Sequence, residues 1–189
     1  MSEQKVADPG PLGLAGFAMT TFCLSSFNAG LWGSHGIVPA ISLALFYGGI
    51  AQFAAGMWEF VRGNTFGALA FTSYGAFWLG LYAFINFNGG LAKANQGALG
   101  IYLLAWTIFT AYMLIASLRT NFALIAVFTV LEVTFIFLTI GNWGAGHAQM
   151  VKIGGWLGII TAILAWYASA AGVINETYGK SVLPLGPRG

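Results

Sequence analysis

The chain has 189 residues, 58% hydrophobic, 16% aromatic and only 6% charged, with a formal net charge of +2 and a mean hydropathy of +0.80. Such a composition excludes an ordinary soluble domain and describes a chain whose solvent is mostly lipid. With so small a positive excess and no basic stripe, nucleic acid is excluded as a partner, and the single cysteine, Cys23, sits in an apolar run and reads as a packing thiol.

Six apolar runs can be drawn in chain order, at about 11–31, 37–60, 65–86, 98–118, 121–141 and 153–174. At 1.5 Å rise per residue each reaches the ~30 Å needed to cross a hydrocarbon core. The predicted fold is therefore an all-α polytopic membrane protein with a single six-helix domain over residues 1–189. The first run opens Asp8-Pro9-Gly10-Pro11, where proline suits a helix start because the missing N–H has no partner there anyway. Its leader carries Glu3, Lys5 and Asp8 and the run exceeds a signal-peptide h-region, so it is read as a span. The second and third runs are joined by residues 61–64 and the fourth and fifth by Arg119 and Thr120, so these neighbours must be antiparallel. Asn64 and Asn121 stand where N-caps belong. Trp32, Trp58, Trp143 and Trp156 fall near span ends, where indoles favour the interface, while Trp78, Trp106 and Trp166 lie deeper and read as packing residues. Six spans return the chain to its starting side. Lys5, Arg62, Arg119, Lys180 and Arg188 then face Lys93 and Lys152 across the bilayer, and the positive-inside rule places both termini in the cytoplasm.

The chain also carries a beat. Phe17, Tyr74 and Leu131 recur at intervals of 57 residues, and the same shift lays Arg62, Asn64, Phe71 and Thr72 on Arg119, Asn121, Phe128 and Thr129, with Lys5 and Leu14 one unit earlier. Three helical hairpins that each start and end on one side would be parallel and related by rotation about the membrane normal, leaving a central path where they meet. Three helix starts with Lys5, Arg62 and Arg119 nearby would form a mouth attractive to small anions; alternatively those cations only signal topology.

The segments Asp8-Pro-Gly-Pro-Leu-Gly-Leu-Ala-Gly-Phe17, Phe46-Tyr-Gly-Gly-Ile-Ala-Gln52, Gly63-Asn-Thr-Phe-Gly67, Phe71-Thr-Ser-Tyr-Gly75 and Ile140-Gly-Asn142 follow one another in an order that resembles the acetate uptake transporter family, with Asp8 where that family usually has Asn. The resemblance implies membrane transport of small carboxylates, acetate or succinate, linked to protons, by a homo-hexamer in the cell inner membrane with a separate path through each six-helix protomer. It also implies that Phe17, Tyr74 and Leu131 form a hydrophobic ring closing that path, and that Leu12, Gly13 and Leu14 of the first motif border the substrate.

Such a ring would discriminate by desolvation, since a carboxylate stripped of water in an apolar neck loses several kcal/mol whereas the neutral acid loses much less. Thr20 and Thr134 lie one turn beyond Phe17 and Leu131, and Thr72 and Ser73 precede Tyr74, so these hydroxyls either hold the acid or pack helices and bond back to their own backbone. Glu132 is the one acid near mid-span, and Ala18 and Gly75, its repeat equivalents, are small; it is either a proton-coupling group or a structural one bonded to Thr129. Glu59 and Gln52 share a face of the second span and form a second candidate relay, unless Glu59 is simply solvated.

Other classes fit poorly. An intramembrane enzyme needs nucleophile and base at depth, but His35 and His147 fall in the outer loops and neither His-Glu-x-x-His nor Gly-x-Ser-x-Gly occurs. A retinal protein would want a seventh span and a buried lysine. No metal or cofactor is expected. A passive channel for acetate, or for small neutral solutes such as urea or amides, would show the same architecture as a symporter.

Overall fold

The computed structural model describes residues 6–87, 97–144 and 147–186; Lys5, Lys93 and Arg188 lie outside them. Among the described residues six helices are long and apolar enough to cross a bilayer. They are α1 (Gly10–Asn28), α2 (His35–Arg62), α3 (Thr65–Asn86), α4 (Ala98–Ser117), α5 (Phe122–Gly141) and α6 (Ala148–Tyr178). The predicted spans for α3, α4 and α5 agree with these to within a residue. α1 stops short of residue 31 because the chain turns at Gly30, which takes φ +81°, and α6 runs past both predicted ends. His35 lies in the opening turn of α2, not in a loop.

α2 is composite. A 3-10 turn (Ser34–Ile37) leads into regular helix, which widens to a π-helical stretch at Phe46–Ala51 before resuming as Gln52–Arg62. The π-helical stretch packs closely on α1: a Cβ on Gly48 would sit 2.5 Å from Thr20 Oγ1, and one on Gly16 would sit 2.7 Å from the Tyr47 carbonyl. One extra residue in a turn rotates the downstream helix face by about 100°. After the bulge, Gln52 and Glu59, seven residues apart, both look inward and are buried.

Each helix packs on its sequence neighbours, and α6 returns to α1, closing a ring. Glycines set the tight seams. A Cβ on Gly155 would meet the Ala29 backbone nitrogen at 2.3 Å, one on Gly56 the Thr72 nitrogen at 2.4 Å, and one on Gly75 the Phe53 nitrogen at 2.7 Å. In lipid, where apolar side chains gain nothing by leaving solvent, such backbone approach is the main source of helix association. Threonine pairs add hydrogen bonds across seams, Thr107 to Thr139 at 2.9 Å and Thr134 to Thr161 at 3.3 Å. The α3–α4 seam is built differently. Its backbones stand farther apart and aromatic rings fill the gap, with Phe77 against Tyr102 and Trp106 at centroid distances of 5.7 and 5.3 Å. Of the three hairpins of the repeat, α1–α2 and α5–α6 therefore pack closely and α3–α4 does not, while α2–α3, across a repeat boundary, packs as closely as either; the repeat survives as an equivalence of α1, α3 and α5.

Asn64 and Asn121 cap their helices as expected: their Oδ1 atoms accept from Gly67 N (3.1 Å) and Leu124 N (2.9 Å). Trp32, Trp58, Trp143 and Trp156 are exposed, Trp78 is buried, and Trp106 and Trp166 are partly buried. Cys23 is likewise partly buried. Because the atoms facing Gly155 are backbone and cannot yield, Gly155→Val is expected to lower stability by at least the ~1 to 3 kcal/mol of an overpacked core. Gly33→Ala, with open space and φ −66°, should be near neutral. Thermal denaturation of the two variants in detergent checks this, and equal melting temperatures would contradict the glycine-seam account.

Candidate functional site: a vestibule inside the helix ring

A cavity of about 280 Å³ opens on the face that carries both described chain ends and narrows inside the ring. Its walls repeat. Gly10, Leu14 and Phe17 of α1, Gly67, Phe71 and Tyr74 of α3, and Leu124, Phe128 and Leu131 of α5 all line it. Within each helix these positions are i, i+4 and i+7, one face of an α-helix. Between helices they are offset by the 57 residues of the sequence repeat. Three parallel helices thus present the same stripe to one space, in tiers.

The deepest tier is Phe17, Tyr74 and Leu131, at 5, 3 and 4% exposure. It lies roughly 10 to 14 Å below the helix starts, seven to nine residues at 1.5 Å each. The rings of Phe17 and Tyr74 meet at 5.7 Å, and Tyr74 packs edge-on to Phe109 at 5.3 Å. The Tyr74 hydroxyl is satisfied away from the cavity by Thr110 Oγ1 at 2.9 Å, so Tyr74 turns its ring to the space. In the middle tier, Leu14 is an expected neighbour of substrate, whereas Phe71 and Phe128 are aligned by the repeat without an expected role. Phe128 also meets Phe66 at 5.3 Å, completing an apolar wall.

The mouth is polar and internally compensated. Arg62 forms ion pairs with Asp8 and, at 3.5 Å, with Glu59. Glu59 is not solvated: it is 2% exposed, and its Oε2 accepts from Asn64 Nδ2 at 3.0 Å. Gly10 and Gly67 admit it, since Cβ atoms there would lie 3.6 and 2.9 Å from Glu59 Oε1. The carboxylate therefore occupies the positive ends of α1 and α3. The expected free helix starts are taken as well. Gly10 N donates to Asp8 Oδ1 at 2.9 Å, and Phe122 N and Ala123 N donate to the carbonyls of Gly186 and Leu185 at 3.0 and 3.2 Å. A strongly anion-attracting mouth is thus corrected to one in which the protein's own acceptors fill the anion positions.

The remaining candidates separate. Of the first-motif residues, Leu14 lines the cavity, Gly13 packs against the Phe71 ring, and Leu12 is 43% exposed on the outer surface. None of Thr20, Thr72, Ser73 and Thr134 lines it. Thr20 donates to Gly16 O at 2.8 Å and Thr134 to Val130 O at 2.8 Å, the back-bonding pattern of packing hydroxyls, while Thr72 is pressed against Gly56 and Ser73 is partly buried. Glu132 lies on α5 beside Leu131, outside the cavity wall, and is partly buried with Oε2 unpartnered; Thr129 donates to Ile125 O and not to Glu132. Gln52 stands apart from these. It lines the cavity, is 1% exposed, and its Oε1 has no partner, so a buried acceptor faces the vestibule. Leu185, from the segment after α6, also contributes to the wall and was missed, because nothing in a short loop marks it as facing a cavity.

Comparison with known proteins agrees with this architecture. The chain is 45% identical over 188 residues to the succinate-acetate/proton symporter SatP of Escherichia coli K12, covering 98% of both chains. It is 37% identical to acetate permease A of Emericella nidulans, covering 98% of this chain and 67% of that one. The solved structure of the bacterial acetate channel SatP superposes with a TM-score of 0.88 at 43% identity, covering 96% of this chain and all of that one. The model of the GPR1/FUN34/yaaH family matches residues 1–186, and the chain belongs to that family.

Proposed function

We propose that this protein carries acetate and similar small carboxylic acids across a membrane, through a path within each protomer that Phe17, Tyr74 and Leu131 close. The observation that carries the reading is the tiered vestibule: a polar, charge-compensated mouth leading to a buried ring of two hydrocarbon side chains and a phenol ring. Its relatives, a symporter, a permease and a channel for acetate, support the substrate class. A space of about 280 Å³ holds a small acid with some of its water, given ~30 Å³ per water in the liquid. The ring then demands dehydration, which favours the neutral acid.

Among the groups considered for proton linkage, Gln52 is best placed. Its amide oxygen, unpartnered at the edge of an apolar neck, can accept from the O–H of a protonated acid. Glu59 is tied into the Arg62 network, and Glu132 flanks the neck without lining the vestibule. The proton therefore travels on the substrate. Arg62, Arg119 and Lys180 on the face of the chain ends, against Lys152 near the other, support cytoplasmic termini and an inner-membrane location. The apolar outer surface, with Phe46, Ile108 and Ile115 each above 60% exposed, suits lipid and the flanks of a homo-hexamer.

Three outcomes are expected for the purified protein in liposomes. First, Phe17→Ala or Tyr74→Ala should admit larger acids relative to acetate; an unaltered substrate profile would place the neck elsewhere. Second, Gln52→Leu should slow acetate uptake about fivefold, the value of one hydrogen bond of ~1 kcal/mol, while Glu132→Gln should keep both the rate and its pH dependence. Loss of gradient-driven uptake in Glu132→Gln would assign proton transfer to that residue instead. Third, uptake should rise up to about tenfold per unit fall in external pH above the acid's pKa, since carboxyl groups of this kind titrate near 4 and only the neutral fraction crosses. A flat profile would rule out the neutral-acid route.

A further inference from the structure

The segment that follows α6 is built into the vestibule. α6 ends at Gly179, which takes φ +63° and lets Lys180 N reach back to Asn175 O at 3.2 Å, so the chain reverses. Asn175 then staples the returning strand: its Oδ1 accepts from Val182 N at 2.7 Å and Leu183 N at 2.9 Å, and its Nδ2 donates to Leu183 O at 2.8 Å. Tyr167, two turns earlier on α6, donates its hydroxyl to Pro184 O at 2.7 Å. The segment finally bonds through Leu185 O and Gly186 O to the first N–H groups of α5. Gly186 takes φ +66°, and a Cβ there would lie 2.7 Å from the Phe122 ring, so the junction requires glycine. Between these anchors Leu185 is partly buried and forms part of the cavity wall near the mouth.

A dangling tail would not be held by the Asn175 and Tyr167 side chains along its start and middle and by main-chain bonds to α5 at its end. We propose that residues 181–186 form a fixed strap that narrows the entrance of the vestibule and disfavours acids with longer apolar chains, such as butyrate, relative to acetate, with Leu185 as the wall residue that meets substrate and Asn175 and Tyr167 as positioning residues. The proposal rests on the vestibule being the substrate path. In the tiered arrangement, α1 and α3 each carry a carboxylate against their opening turns, Asp8 and Glu59, and the α5 sector carries the strap in that place. The strap thus completes the rim with an apolar side chain and two carbonyls, which contribute bulk and no positive charge. Asp at position 175 could still accept from Val182 N and Leu183 N but could no longer donate to Leu183 O, so Asn175→Asp should hold the strap in part.

The test is the ratio of butyrate to acetate uptake by the full chain in liposomes. Leu185→Ala and Asn175→Ala should raise this ratio several-fold, Tyr167→Phe and Asn175→Asp less, and Leu185→Phe should lower it. Phe17→Ala serves as the reference for the path itself. If Phe17→Ala shifts the ratio and the strap variants do not, the strap has no role in selection and the path stands. If Phe17→Ala also leaves the ratio unmoved, the path reading fails and the strap falls with it. Should Asn175→Ala fail to fold, Leu185→Cys in a Cys23→Ser chain gives a second measurement: a bulky maleimide applied from the side of the chain ends should slow acetate flux and react more slowly with acetate present. Modification that leaves flux unchanged would overturn the proposal.

Discussion

Close approach of helix backbones through glycine is the constraint from which the rest of this structure follows. A chain in lipid gains little by burying one apolar side chain against another, so helices associate where small residues let main chains touch and dispersion contacts accumulate. Gly155 on Ala29, Gly56 on Thr72, Gly16 on Tyr47 and Gly141 on Val151 close four such contacts in the ring, each against backbone atoms. They hold α1, α3 and α5 in parallel register. Only in that register do the 57-residue equivalents fall at equal depth and convert a sequence repeat into stacked tiers.

The one seam without this device, α3–α4, carries the aromatic residues. Tyr74 stands at the junction, with its ring in the deepest tier, its edge on Phe109 and its hydroxyl bonded to Thr110 on α4. A phenol whose polar atom is satisfied behind the wall can serve as hydrocarbon in front of it. The same division explains the threonines. Thr20, Thr107, Thr134 and Thr161 commit their hydroxyls to carbonyls one turn back or to a threonine across a seam, and none of them lines the vestibule.

The mouth favours desolvation over attraction as the basis of selection in the proposed path. Arg62 is balanced by Asp8 and Glu59, and the helix starts are capped by Asp8, Asn64, Asn121 and the carbonyls of Leu185 and Gly186. With its own carboxylates at the positive helix ends, the entrance has little net pull on anions. In the proposed path, selection is therefore assigned to the apolar tiers, where the energy of stripping a charge exceeds what surface charges could supply.

By itself the sequence determined the class, the six apolar runs and the recurrence that brings Phe17, Tyr74 and Leu131 to one cavity wall. Those properties are periodic or compositional: apolar runs of bilayer length, asparagine before a run, and large side chains recurring every 57 residues on helices that must be parallel. It did not determine which polar residues face the space. Gln52 and Glu132 are both polar groups in apolar helices, yet a single π-helical turn upstream rotates Gln52 into the vestibule while Glu132, one residue past Leu131, falls about 100° away from it. Nor could it show that Glu59 and Asp8 share Arg62, or that the segment after α6 folds back to form a wall. These depend on contacts between residues far apart in the chain, and a helix's own period carries no record of what its neighbours bring to it.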